Sequence, residues 1–199
     1  MNRNLYRYGM FVGLLLCLSA CRKDMRLFDK EVRTTLEEFG KQNPETKLLV
    51  TTRLGDFSIK LYDGTPLHRA NFVRLVKGGY YTDLFFYRIV YETAIQGGAE
   101  WMYRLDYDLP TEVNTAKYTH KRGAVAMAQY DPSMNPEGNT SASEFFIITN
   151  AEEARKFDGI YTVIGEVTQG MEVVDKIKEA RAFNEKPVDP VKFSIRILE

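Results

Sequence analysis

The feature that most limits the possible folds of this chain is a series of short strand-like segments that begins near Lys47. The segments are rich in β-branched and aromatic residues, and turn-forming residues separate them. They comprise residues 48–52, 57–62, 84–90, 123–129, 144–149, 162–167 and 191–198. Many short strands with few helices favour an antiparallel barrel or sandwich that carries helical caps.

Two helices are predicted among these strands. The first begins at Thr65, an N-cap residue, and Pro66 follows at the first helical position, where its missing N–H costs nothing. It ends at the glycine pair 78–79. The second covers residues 171–180 and turns its apolar residues inward.

A third helix is predicted before the strands, in the charge-rich segment 22–43. Five apolar side chains there share one helical face, namely Leu27, Phe28, Val32, Leu36 and Phe39. Gly40 and Pro44 then supply stop signals. We expect residues 21–46 to form a short amphipathic helix and linker that packs on the domain or spaces it from a membrane. The alternative is a mobile tether.

The N-terminus has the layout of a secretory signal. Arg3 and Arg7 precede the apolar run 11–18, which is too short to span a bilayer permanently. The sequence Leu-Ser-Ala-Cys that ends at Cys21 resembles the lipobox of bacterial lipoproteins. The resemblance implies removal of residues 1–20, lipidation of Cys21 and a membrane anchor of acyl chains. The alternative is an ordinary signal peptide with a chance cysteine.

Charge and cysteine content limit the partners of the mature chain. The full sequence has 27 basic and 27 acidic residues, and removal of residues 1–20 leaves a net charge of about −2. A near-neutral protein has no overall field to attract nucleic acid, so we expect no nucleic-acid partner. The only other cysteine, Cys17, lies in the removed segment, which excludes a disulfide within the mature chain. Residues 47–199 have the size of one domain.

Six segments of this domain, taken in order, resemble the cyclophilin-type peptidyl-prolyl cis-trans isomerases. They are Phe86-Tyr87-Arg88-Ile89-Val90, Gln96-Gly97-Gly98, Gly123-Ala124-Val125-Ala126-Met127-Ala128, Ser143-Glu144-Phe145-Phe146-Ile147, Asp158-Gly159-Ile160-Tyr161-Thr162-Val163-Ile164-Gly165 and Gly170-Met171-Glu172-Val173-Val174. The resemblance covers residues 47–199. It implies a closed eight-stranded antiparallel barrel capped by two helices, rotation about X–Pro bonds, and no metal or cofactor.

The resemblance also implies a site. Arg88 matches the catalytic arginine, Gln96 the glutamine that holds the substrate backbone, Phe146 the floor of the proline pocket, and Ala128 a small residue beside the substrate. A hairpin turn near residues 91–92 would bring Gln96 next to Arg88. Outside this motif, an arginine on a strand is usually a solvated surface residue. His68 and His120 have no nucleophile or ligand partners nearby in the sequence, and we expect both to be structural.

Departures from the family pattern cluster at this site. Thr93 and Ala94 stand where phenylalanine and methionine usually form the pocket walls. Lys156 stands where relatives have tryptophan or another, variable residue. The other replacements are Tyr87 for histidine, Glu144 for glutamine, Phe157 for leucine and Tyr161 for histidine. Each large apolar side chain that is lost removes about 1.5–3 kcal/mol of the free energy that full burial against the proline ring would contribute. We therefore expect slow or selective isomerisation, and we assign substrate contacts to Tyr87, Thr93, Ala94, Phe157 and Tyr161 together with Gln96, Ala128 and Phe146.

These observations lead to competing functional hypotheses. The first is a monomeric, lipid-anchored isomerase that acts on proline-containing polypeptides outside the cytoplasm. It would be a cell-envelope lipoprotein that faces the periplasm or lies in the outer membrane of a Gram-negative bacterium. The second is a catalytically weak or inactive module that binds peptides or proteins in the barrel groove. A purely structural lipoprotein role has no positive support in the sequence.

Overall fold

The computed structural model describes Met25, Leu27 and residues 31–99 and 105–198. The predicted signal segment and its lipidation site, Cys21, lie outside these residues, as does Phe28. The described helices are α1 (Val32–Gln42), α2 (Pro66–Lys77), α3 (Ala151–Ala154) and α4 (Met171–Lys178), and a 3-10 turn follows α3 at Arg155–Phe157. The strands are β1 (Lys47–Thr52), β2 (Gly55–Leu61), β3 (Leu84–Val90), β4 (Ala94–Gly98), β5 (Asp108–Leu109), β6 (Ala124–Gln129), β7 (Thr140–Ile148), β8 (Val163–Gln169), β9 (Ala182–Phe183), β10 (Lys186–Pro187) and β11 (Val191–Ile197).

Eight of these strands form a closed antiparallel barrel in the order β4-β3-β11-β1-β2-β8-β6-β7. The pairing of β4 with β7 completes the ring, and the short β5 pairs with the N-terminal part of β7, on the same edge as β4. The predicted mainly β fold with a closed eight-stranded barrel is therefore confirmed. Closure leaves the long strands without free edges, so their backbone groups are paired around the ring.

Alternation along β7 separates the inside of the barrel from the functional face. Phe145 points into the barrel, where it packs edge-on against Phe72, Phe86 and Phe193 with ring centroids 5.6, 6.2 and 5.7 Å away. The next residue, Phe146, points to the opposite face, because successive side chains on a strand alternate. The core therefore fixes the direction of Phe146.

The two cap helices are those predicted from the sequence, but α2 begins differently from the expectation. The side chain of Thr65 makes no cap hydrogen bond. Instead, Glu112 accepts hydrogen bonds from the backbone N–H groups of Leu67 and His68, at 3.2 and 3.0 Å, and from His68 Nδ1 at 2.6 Å. Burial raises the pKa of Glu112, yet the hydrogen bonds and charge of His68 outweigh it, so the net pKa is lowered. The Glu112 carboxylate, which comes from a loop distant in sequence, therefore caps the N-terminus of α2 in place of the Thr65 hydroxyl.

The predicted N-terminal helix forms as α1 and packs against α2. Val32 and Leu36 are buried, and Leu27 and Phe39 are partly buried against the same core. The interpretation as a mobile tether is therefore wrong for Val32–Gln42. Among the described residues, no helix is both long and apolar enough to cross a membrane.

Candidate functional site

A cleft on the outer face of β3, β4, β6 and β7 brings most of the predicted site residues together. It has a volume of about 100 Å³, several times what one water molecule needs. The lining residues are Arg88, Val90, Thr93, Ala94, Gln96, Ala128, Gln129, Phe146, Phe157 and Tyr161. Eight of these ten were predicted from the sequence.

One side of the cleft is polar and centres on Arg88. Arg88 and Gln96 are direct Cα partners on β3 and β4, so the hairpin expected from the sequence does bring them together. Arg88 Nη1 donates a hydrogen bond to Gln96 Oε1 at 3.2 Å. A shift in strand register between Phe86 and Arg88 turns this part of β3. The guanidinium therefore lies at the rim of the cleft beside an amide that fixes its direction.

A chain of two hydrogen bonds through Tyr87 and Glu144 fixes the amide of Gln96. Its Nε2 donates to the hydroxyl oxygen of Tyr87 at 2.7 Å, and that hydroxyl donates to Glu144 Oε1 at 3.2 Å. Tyr87 was predicted to contact the substrate, but it is not among the cleft-lining residues. Its observed contacts orient Gln96, and the replacements at Tyr87 and Glu144 form one hydrogen-bonded pair.

A carboxylate that was not predicted holds the other end of Arg88. Arg88 Nε and Nη2 each lie 2.7 Å from Glu185 Oε2. Glu185 belongs to the two-residue turn between β9 and β10, 97 positions further along the chain. The guanidinium is thus held on two sides, by Gln96 and by Glu185.

The opposite side of the cleft is apolar. Phe146 forms its floor, with the rings of Phe157 and Tyr161 edge-on to it at centroid distances of 5.9 and 5.3 Å. Ala94 and Thr93 form a wall of small side chains, each less than 5% exposed. Lys156 does not line the cleft and lies over the ring of Phe157, 5.7 Å from its centroid.

A buried histidine lies behind this floor. The His120 ring is nearly parallel to Phe146, 6.1 Å away, and edge-on to Phe157 at 5.8 Å. Asp158 Oδ1 accepts from both the backbone N–H and Nδ1 of His120, at 2.8 and 2.7 Å. The Nε2 atom has no hydrogen-bond partner. Burial lowers the pKa of His120, although Asp158 opposes the shift. The ring beneath the floor is therefore neutral at neutral pH.

Sequence reasoning missed four residues of this region. Val90 lies two positions after Arg88 on the same strand, so the alternation of β3 could have identified it. Gln129, whose Nε2 donates to the backbone oxygen of Ile160, follows the predicted Ala128 directly. Glu185 and the carboxylate partner of His120 had no local signal. Both histidines, which we expect to be structural, have partners that are distant in sequence: His68 pairs with Glu112 and also lies 2.7 Å from Thr140 Oγ1, and His120 pairs with Asp158.

Comparison with known proteins identifies a family and several relatives that this chain resembles. A family model described as cyclophilin type peptidyl-prolyl cis-trans isomerase/CLD matches residues 47–197. The chain is 30% identical over 159 residues to peptidyl-prolyl cis-trans isomerase CYP18-2 of Arabidopsis thaliana, covering 75% of this chain and 90% of that protein. It is 31% identical over 153 residues to a probable peptidyl-prolyl cis-trans isomerase of Brucella suis biovar 1, covering 69% and 74%.

A third relative is much longer than this chain. The peptidyl-prolyl cis-trans isomerase-like 2 protein of Rhizopus delemar is 32% identical over 138 residues, which are 65% of this chain but only 24% of that protein. A crystal structure of a Cryptosporidium parvum cyclophilin type peptidyl-prolyl cis-trans isomerase matches with a TM-score of 0.68 at 22% identity, covering 78% of this chain and 98% of that one. A second structure of that protein, in the presence of the dipeptide Ala-Pro, matches at 0.66 with 23% identity, covering 77% and 99%. Both solved structures share this barrel fold.

Proposed function

This chain belongs to the cyclophilin-type peptidyl-prolyl cis-trans isomerases, and from that premise we propose that it uses Arg88 to rotate X–Pro bonds in proteins outside the cytoplasm. The observation that carries the proposal is the hydrogen bond between Arg88 and Gln96 at the rim of an apolar cleft floored by Phe146. A cation, an amide and an aromatic floor lie within one small cleft. This combination suits a substrate that is polar along its backbone and apolar at one ring.

The chemistry follows from the electronic structure of the imide bond. Rotation must break amide resonance against a barrier of about 18–20 kcal/mol. In the twisted transition state, the prolyl nitrogen regains its lone pair and becomes a better hydrogen-bond acceptor. A guanidinium N–H fixed near that nitrogen therefore stabilises the twisted state more than the planar one, which is what catalysis requires. No atom leaves or joins the substrate, so positioned donors and a ring pocket suffice.

The proline ring would rest on Phe146, between Ala128 on one side and Phe157 and Tyr161 on the other. The solved relative in the presence of Ala-Pro supports a proline-containing polypeptide as substrate. Thr93 and Ala94 leave the remaining wall low, so the ring buries less apolar surface there than it would against larger side chains. We expect weak substrate binding, and hence slow or selective turnover, with the rotation chemistry retained.

The proposed location rests on the N-terminal sequence. Lipid attached at Cys21 would anchor the domain to a membrane of the cell envelope. Labelled fatty acid fed to producing bacteria should appear on the full chain and be absent from Cys21→Ser. Label that persists in the variant, or a chain that is never labelled, would contradict the anchor while leaving the isomerase proposal untouched.

The decisive test is the isomerisation rate with and without Arg88. Exchange spectroscopy by NMR on several Ala-X-Pro-Phe peptides would measure rotation directly. Arg88→Ala should lower kcat/KM by about 10²–10³-fold, as expected for removal of one fixed transition-state donor. Arg53→Ala removes an exposed arginine that pairs with Asp189 far along the chain, and it should leave the rate unchanged. Equal rates for the wild type and Arg88→Ala, with peptide binding retained, would instead indicate a binding module.

A further inference from the structure

We propose that Glu185 is a positioning residue that holds the Arg88 guanidinium in its catalytic orientation. This inference deepens the proposed function and rests on it. Arg88 is long, and about half of its side chain is exposed. Without fixed partners such a side chain would sample several rotamers, and ordering it during catalysis would cost entropy. A fixed partner outside the cleft removes that cost beforehand.

The contacts divide the guanidinium between two partners. Glu185 Oε2 accepts from Nε and lies equally close to Nη2, both at 2.7 Å, while Gln96 accepts from Nη1. Two points of attachment on different edges define the plane of the group. Arg88 keeps further N–H donors for a substrate, because the guanidinium carries five. It also still lines the cleft while bound to both partners, whereas Glu185 does not. The carboxylate therefore holds the arginine at the rim and does not withdraw it.

The backbone of Glu185 fixes where its carboxylate lies. Its carbonyl oxygen accepts from the N–H of Ile89 at 2.7 Å, so the turn is tied to the residue that directly follows Arg88. The turn itself links β9 and β10, in which Phe183 pairs with Lys186 across a two-residue loop. One residue thus bonds the strand through its backbone and the catalytic side chain through its carboxylate.

The conformation of this turn indicates that the side chain matters. Asn184 and Glu185 both have positive φ, at 48° and 63°, as a tight two-residue hairpin requires. Asparagine tolerates that region, but glycine is the usual second residue and glutamate is strained there. A residue that breaks a local backbone rule and also binds the proposed catalytic group is what a functional constraint produces.

Two substitutions in the same turn distinguish the kinetic effect of losing the Glu185 carboxylate from the effect of changing the backbone strain. Glu185→Gly and Asn184→Gly each place glycine at a positive φ, a conformation that glycine adopts without strain, so both should leave the thermal midpoint close to that of the wild type. Only Glu185→Gly removes the partner of Arg88, and it should lower kcat about tenfold with little change in KM. Glu185→Gln keeps an acceptor oxygen and should lose less. The NMR signal of Arg88 Nε–H should report a more mobile side chain in Glu185→Gly and stay unchanged in Asn184→Gly.

The outcomes distinguish this inference from the function on which it rests. If the wild type is active, Arg88→Ala is inactive and Glu185→Gly retains full kcat, Glu185 has no positioning role. A rise in kcat for Glu185→Gly would also overturn the inference, because the carboxylate would then compete with substrate for Arg88. If the wild type gives no acceleration, the proposed function and the inference fail together. A parallel loss of kcat in Asn184→Gly would assign the effect to the turn and not to the carboxylate.

Discussion

The two sides of the cleft are built in opposite ways. On the polar side, Arg88 and Gln96 are each held by further groups, through Glu185 on one flank and Tyr87 with Glu144 on the other. On the apolar side the floor is aromatic, but the wall consists of Thr93 and Ala94, and the histidine behind the floor has a buried nitrogen without a partner. The side chains of the polar side are therefore fixed by hydrogen bonds, whereas the apolar side lacks a wall of large side chains.

This difference separates two contributions to isomerisation. Rotation chemistry depends on a donor fixed near the prolyl nitrogen, and precise positioning of that donor raises kcat. Binding of the ring depends on apolar area buried, and it affects substrate and transition state alike. A cleft with a fixed donor on one side and small wall residues on the other should therefore keep its rate of bond rotation and bind the substrate more weakly. Changes to each side should move different kinetic parameters.

Among the substitutions that compare the two sides, the largest effect is expected from rebuilding the wall with Thr93→Phe and Ala94→Met. Each side chain adds apolar surface that would pack against the proline ring, with about 1.5–3 kcal/mol available for full burial of each. We expect KM for an X–Pro peptide to fall at least tenfold while kcat changes little. Steady-state kinetics by a protease-coupled assay would measure both parameters.

The control repeats the same pair of substitutions in an Arg88→Ala background. Binding of the peptide, measured by calorimetry, should tighten there as well, while kcat stays as low as in Arg88→Ala alone. Such a result would show that the two sides act independently. If turnover returned without Arg88, or if the rebuilt wall changed kcat and not KM, the assignment of catalysis to the polar side and of substrate binding to the apolar side would be wrong.

Much of the barrel and part of the site could be predicted from sequence because they depend on local patterns. The segment Leu84–Val90 was predicted with the bounds that the structure gives. The family resemblance selected Arg88 and Gln96, and the hairpin expected near residues 91–92 brings them together as direct partners. The alternation of side chains along a strand places Phe145 and Phe146 on opposite faces. Each of these inferences uses contacts that span fewer than about ten residues.

The remainder could not be predicted because the partners are distant in sequence and their side chains carry no periodic signal. Glu112 caps α2 from 45 residues away, and Glu185 reaches Arg88 from 97. Thr65 has the residue type of an N-cap, but the partly buried carboxylate of Glu112 takes the backbone N–H groups at the start of α2. Polar networks of this kind are set by the closed barrel, which brings separate loops to one end. Strand patterns do not determine which loop side chains then meet.

A smaller effect is expected on the polar side from Tyr87→Phe. The substitution keeps the ring and removes the hydroxyl that accepts from Gln96 Nε2 at 2.7 Å and donates to Glu144. Loss of one bracing hydrogen bond should lower kcat/KM by roughly three- to tenfold, which corresponds to about 0.5–1.5 kcal/mol. The thermal midpoint should change little, since the hydroxyl is only partly buried. Tyr87→His is the matched variant, because an imidazole can again accept from Gln96. Unchanged kinetics in Tyr87→Phe would show that the hydrogen bond from Gln96 to the Tyr87 hydroxyl does not affect catalysis.

The smallest expected effect concerns pH and the apolar side. Burial lowers the pKa of His120 below its usual 6.5, although the hydrogen bond and charge of Asp158 oppose the shift. As pH falls below 6.5, the unfolded chain takes up a proton on this ring that the folded chain does not. The free energy of unfolding should therefore decrease on acidification, by up to about 1.4 kcal/mol per pH unit until the folded pKa is reached. Well above pH 6.5 the ring is neutral in both states and contributes no slope.

Urea denaturation of the wild type and His120→Gln between pH 7 and pH 5 would measure this slope. The variant keeps an amide donor for Asp158 and removes the titrating ring, so its stability should fall less on acidification. Asp158 itself does not titrate in this window: burial raises its pKa, but the hydrogen bonds of His120 outweigh that and lower it below 3.8. Equal slopes for the two proteins would mean that the ring is protonated as readily when folded as when unfolded. The apolar side would then tolerate a charge beneath Phe146, and the contrast between the two sides of the cleft would rest on the low wall alone.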